Sequence, residues 1–148
     1  MKRNFEVTRI LPFKHTLVFE QVANFERYEQ YLPFCNASRS LNTDNKDFSQ
    51  IGELVFEIAG VSYKIKSGNV IEDERILITQ IKGPFEEMNA SWDVEHLNDK
   101  SCRISFKANA KVPYFLGILL SDSTVEKFVN VFLDSFVNDL AAKNKTKN

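Results

Sequence analysis

Between Cys102 and Val112 the chain alternates without a break. Cys102, Ile104, Phe106, Ala108, Ala110 and Val112 fall on one side of an extended backbone, and Arg103, Ser105, Lys107, Asn109 and Lys111 on the other. Successive side chains of a strand point to opposite faces, so this segment reads as a strand with one dry and one wet face. Such a strand belongs in an antiparallel sheet whose dry face is covered by another element. That requirement constrains the chain more than any other feature.

The period of two runs back through the middle of the sequence. It predicts strands over 36–43, 49–59, 61–71, 75–82 and 86–97 besides 102–112. Turn signals separate them at Asp44–Asp47, Ala59–Gly60, Asp73–Glu74, Gly83–Pro84 and Asn98–Ser101. Within 86–97, Met88, Ala90, Trp92 and Val94 oppose Asn89, Ser91, Asp93 and Glu95. A first strand is expected over 5–12, where Phe5 and Val7 alternate with Glu6 and Thr8. After it, Val18, Phe19 and Val22 recur at helical spacing over 15–24. A short helical piece over 26–32 ends before Pro33, which disfavours helix in the residue preceding it.

The cover comes last. Val125, Phe128, Val129, Phe132, Phe136 and Leu140 follow the helical period, and Leu133 and Val137 widen the stripe. Ser123 and Glu126 have capping-box spacing, which places the helix start near Thr124. The expected architecture is α+β: a curved sheet of seven antiparallel strands around a long C-terminal helix, with two short helices after strand 1. It forms one domain over 1–148.

Composition sharpens one question. The chain holds 13 Phe against 4 Tyr and 1 Trp. Phe offers apolar area with no polar handle, so the excess serves either a bulky core or an apolar cavity that a ligand fills. Ala108 and Ala110 face the ring-rich helix. Either Phe128 or Phe132 packs into the space they leave, or that space is open.

The formal net charge is −1, which argues against a DNA-binding role. Bases gather at the ends, in Lys2 and Arg3 and in Lys143, Lys145 and Lys147. Between residues 5 and 142 acids outnumber bases 20 to 14. The ends 1–4 and 143–148 are expected to be flexible and solubilising. Cys35 and Cys102 share no metal-ligand spacing with His15 or His96, which fits free thiols in a reducing compartment and no metal site. The most apolar run, Val112 to Leu120, is nine residues long, where a membrane span needs about 20. No secretory signal opens the chain, so a soluble cytoplasmic protein is expected. No nucleophile–base pair or phosphate-cradling loop appears, so no catalytic residue is assigned. His15 and His96 are expected at the surface.

The run Val22-Ala-Asn-Phe-Glu-Arg-Tyr-Glu-Gln-Tyr-Leu-Pro-Phe-Cys35, followed by Ser38, resembles a signature of the coenzyme Q-binding START-domain family. That family also contains the bacterial RatA ribosome-association toxins. A second stretch, Gly83-Pro-Phe-Glu-Glu-Met-Asn-Ala-Ser-Trp92 through Cys102-Arg-Ile-Ser-Phe106, is similar to its other hallmark. The resemblance runs from about Thr8 to Ala142. It implies a helix-grip fold with an apolar tunnel that binds ubiquinone or a similar isoprenoid lipid, supporting respiratory electron transfer without catalysis. The RatA branch implies association with a ribosomal subunit and inhibition of translation instead. A cyclase-type enzyme is the third option. The chain departs from the family pattern at Asn24, Glu29, Phe34 and Ser67-Gly68, where members often have Asp, Pro, Trp and a Thr-Arg pair. The last departure removes a cationic group.

Together these readings give a ligand-site set of Tyr28, Leu32, Pro33, Phe56, Tyr63, Ile65, Trp92, Phe106, Ala108, Phe128, Phe132 and Phe136. Tyr28, Tyr31 and Tyr63 could each donate to a quinone carbonyl, and Tyr63, on the side of Val61 and Ile65, is the first to test. The segment Pro113–Leu120 is apolar on all sides. Its residues Tyr114, Phe115, Leu116, Ile118, Leu119 and Leu120 either pack under a loop or form a lid or membrane-touching lip. Lys111 and the basic tail would add weak attraction to anionic lipid, allowing peripheral contact with the inner membrane.

Overall fold

The structure, a computed structural model, describes residues 1–41, 46–58 and 60–146, the last three of these by backbone alone. Residues 42–45 of the expected second strand and its turn, Ala59, and residues 147–148 lie outside them. Strand β1 (Lys2–Leu11) is followed by helix α1 (His15–Ala23), a 3₁₀ turn (Phe25–Arg27) and a single-turn helix α2 (Tyr28–Tyr31). Six strands come next: β2 (Cys35–Leu41), β3 (Gln50–Ile58), β4 (Val61–Glu72), β5 (Arg75–Lys82), β6 (Glu87–Asn98) and β7 (Ser101–Lys111). A short helix α3 (Tyr114–Leu119) and a long helix α4 (Asp122–Thr146) finish the chain.

All pairings are antiparallel in one sheet of seven strands, ordered β1-β7-β6-β5-β4-β3-β2. The chain therefore leaves β1 at one edge, crosses to the other through α1 and α2, and returns strand by strand. The seven-stranded helix-grip architecture is as expected. The N-terminal segment is not. Residues 2–4 are not a loose end, because Lys2, Arg3 and Asn4 pair with Lys111, Ala110 and Asn109 of β7. The Met1 carbonyl also accepts from the Val112 amide at 2.7 Å. An edge strand needs only one partner, and β7 is long enough to supply it. At the other end, Lys143 lies within α4 and reaches Gln21 Oε1 at 3.5 Å.

Inside, alternation does what it predicted. Cross-strand pairing lines up Val7, Phe106, Trp92 and Ile76 in one row. Helix α4 sits on that row: the Phe132 and Phe136 rings stack on Trp92 with centroids 5.5 and 6.4 Å away. Phe136, Leu133, Val18, Val94, Cys102 and Ile104 are almost wholly buried around this seam. Helix α1 is tied to α4 by Gln21 Nε2, which donates to the Phe136 carbonyl at 3.1 Å. Arg27 pairs with Asp139 at 3.3 Å. Helix α4 begins two residues earlier than the capping-box reading places it. Its cap is Ser121, not Ser123: the Ser121 hydroxyl accepts from the Thr124 amide at 3.3 Å.

Phe136 anchors the seam and is completely buried, so removing its ring leaves a cavity under α4. Phe136→Ala is expected to cost about 3–5 kcal/mol, read as a lower urea midpoint at unchanged m-value.

Candidate functional site

The row next to the Trp92 seam is built differently. Phe5, Ala108, Ala90, Ile78, Asn69 and Gln50 follow one another across six strands. Two adjacent alanines, on β7 and β6, offer nothing beyond Cβ to fill the space under α4. The rings that could fill the space are engaged elsewhere. Phe132 lies on Trp92, while Phe128 stacks on Phe34 at 4.9 Å and meets Phe56 edge-on at 6.1 Å. The result is a cavity of about 300 Å³ between sheet and helix. Its size is at the lower end of the range of about 300–1,000 Å³ typical of ligand pockets.

The wall is mainly apolar, and among the described residues that line it none is Asp, Glu, Lys, Arg or His. Of the expected ligand-site set, Tyr28, Phe56, Ile65, Trp92, Phe106, Ala108, Phe128 and Phe132 line it. Four do not. Leu32 is buried with Phe25, Tyr28 and Cys35 in a second core cluster beneath the wall. Pro33, just beyond the end of α2, is exposed. Tyr63 shares the inward parity of Ile65 but sits nearer the β3–β4 hairpin, opposite Phe56 and outside the wall. Phe136 is completely buried behind Trp92.

The tyrosines also differ from expectation in chemistry. The Tyr28 hydroxyl donates to the Val22 carbonyl, so it is already spent. Burial pushes its phenol well above the ordinary value. Tyr31 is raised too, chiefly by burial, and lies outside the wall. Burial also lifts the Cys35 thiol from 9.0 to about 11. Both cysteines are free and buried.

Polar wall residues escaped the sequence reading. Gln50, Ser67 and Asn69 all face the cavity. Their signal was present: Tyr63 and Ile65 set the inward parity of β4, which carries Ser67 and Asn69 inward as well. Phe25, also missed, closes the wall by lying over Gly52. A Cβ there would stand 2.5 Å from its ring. His15 and His96 are not both surface groups. His15 is half-buried and meets His96 edge-on at 4.8 Å.

The α3 segment divides in two. Leu116 is buried and Leu120 lines the cavity. Tyr114, Phe115 and Ile118 are 74, 63 and 62% exposed, and Leu119 is partly so. No loop among the described residues covers them. No helix among the described residues is long and apolar enough to cross a membrane.

Comparison with known proteins adds to this geometry. A family model described as polyketide cyclase / dehydrase and lipid transport matches residues 11–137. The ribosome association toxin RatA of Rickettsia prowazekii is 28% identical over 134 residues, which cover 87% of this chain and 84% of that protein. The mitochondrial coenzyme Q-binding protein coq10 of Schizosaccharomyces pombe is 19% identical over 145 residues, 95% of this chain and 88% of that protein. Among solved structures, the Zhui aromatase/cyclase from Streptomyces sp. R1128 shares the fold with a TM-score of 0.81. That match has 16% identity and covers 95% of this chain and 94% of that one.

Ala108→Phe separates an open cavity from a filled core. With the space open, the ring is expected to fit at a cost below about 1 kcal/mol, where overpacking a full core costs about 1–3 kcal/mol. Paired denaturation curves and dye-uptake titrations measure both effects, and uptake should be lost. The buried phenols and thiol predict an alkaline limit as well. Their protonated forms are favoured in the fold, so their contribution is complete below pH 9 and is lost as pH rises toward 11 and beyond. Urea midpoints measured from pH 8 to 11 should fall across that window.

Proposed function

The chain belongs to the polyketide cyclase / dehydrase and lipid transport family, and on that premise we propose that it carries an apolar isoprenoid lipid, ubiquinone fitting best, in the cavity under α4. The observation that carries this reading is a space of about 300 Å³ walled mainly by rings and aliphatic side chains, with no charged residue among the described residues that line it. Carriage suits such a wall better than catalysis does. Among the described wall residues only Tyr28 is titratable, and its hydroxyl is held by the Val22 carbonyl with its pKa raised. Proton transfer near neutral pH needs a group that can give or take a proton there. A space of this size takes a ring and the start of a prenyl chain. The rest of the tail leaves past Leu120 along the exposed face of α3, which then serves as a lip at a lipid surface. On this reading the protein works in the cytoplasm with peripheral contact at the inner membrane.

Organic extracts of purified protein are expected to contain quinone or a related prenyl lipid by mass spectrometry. Stripped protein should reload from phosphatidylcholine vesicles doped with ubiquinone. Repeated absence of lipid, with no reloading, sinks the proposal.

A second reading is favoured by the relatives named as ribosome association toxins: association with a ribosomal subunit that blocks translation. Sucrose gradients after overexpression decide it. A shift from joined ribosomes to free subunits supports the reading, and an unchanged profile removes it.

A further inference from the structure

The cavity has one polar corner. Ser67 and Asn69 on β4 are each 7% exposed, and Gln50 on β3 stands directly across from Asn69. They form a chain of hydrogen bonds. Ser67 Oγ donates to Asn69 Oδ1 at 3.3 Å, Asn69 Nδ2 donates to Gln50 Oε1 at 3.1 Å, and Gln50 Nε2 donates to the Ala23 carbonyl at 3.4 Å. Burying carboxamides inside an apolar wall is costly unless their bonds are met, and Val or Leu at these positions would avoid the cost. Each carboxamide nitrogen carries two hydrogens. Each spends one along the chain, so one N–H of Asn69 and one of Gln50 are left over at the cavity wall.

Two N–H donors are thus unspent, and no cation or anion stands among the described wall residues. A neutral oxygen acceptor satisfies that arrangement. A carboxylate does not, because its charge would be buried without a counter-ion. We propose that Gln50, Asn69 and Ser67 form a head-group site that receives a carbonyl oxygen of a neutral lipid, such as a quinone or ketone. The tail then lies over Ala90 and Ala108 and runs toward Leu120. The assignment rests on the lipid-carrier reading above, but it fixes which end of the ligand enters first and which heads are rejected.

Displacement of N-phenyl-1-naphthylamine from the full chain, with decane, 2-decanone and decanoate as competitors, tests it at pH 8. Asn69→Leu is expected to weaken 2-decanone roughly tenfold while decane binds as well or better. Gln50→Leu, at a half-buried position where folding is less at stake, should act in the same direction. Wild-type protein should bind decanoate more weakly than 2-decanone. Equal loss for decane and ketone in the variants, or decanoate binding as tight as the ketone, overturns the head-group site and leaves the carrier reading intact. If neither the dye nor any competitor binds wild-type protein, both readings fall together.

Discussion

The stack of Phe132 and Phe136 on Trp92 sets the height of α4 above the sheet. Trp92 is itself braced by Phe106 at a centroid distance of 4.6 Å. Large flat rings on both partners hold helix and sheet apart by a distance that small side chains cannot span. Wherever the sheet offers alanine instead of a ring, the gap stays open. The cavity is thus a by-product of a well-packed seam beside it, and stability and ligand space come from neighbouring rows of one sheet. Close packing is kept in the row that holds the helix and relaxed in the next.

Much of this was legible in the chain. Alternation located every strand, because a dry face and a wet face leave a two-residue period whatever the tertiary details. The long helix and its covering role followed from the apolar stripe. Edges were harder. Residues 2–4 lack a clear apolar alternation because they lie at the sheet's edge, where pairing to β7 rather than burial makes the strand. The helix start was displaced because Ser121 and Ser123 are equally good caps in sequence, and only backbone direction chooses between them.

The site was partly legible for a related reason. Parity says which way a side chain points but not how far along the strand the helix reaches. Ile65 and Tyr63 point the same way, yet only Ile65 meets the cavity. Whether Ala108 faced a ring or a void depended on the rotamers of Phe128 and Phe132, which no period encodes. The polar residues were passed over because an inward Asn or Ser looks like an interruption of a strand. In the fold, Asn69 and Ser67 are the best-buried polar groups of the cavity wall. Neutrality of that wall unites the functional argument: it suits a lipid with an uncharged head and gives acid–base chemistry little to work with.

The adjacency of β1 and β7 has a consequence for how the protein comes into being. Phe5 meets Ala108 across more than a hundred residues of intervening chain. Contacts so remote in sequence are slow to form, since the loop entropy is spent before any pairing repays it. During synthesis β1 stays without a partner until β7 emerges, and α4 follows later still. The cavity under α4 therefore lacks its full wall until β7 and α4 have both left the ribosome. Whatever the cavity holds can enter only after the helix has closed over the sheet.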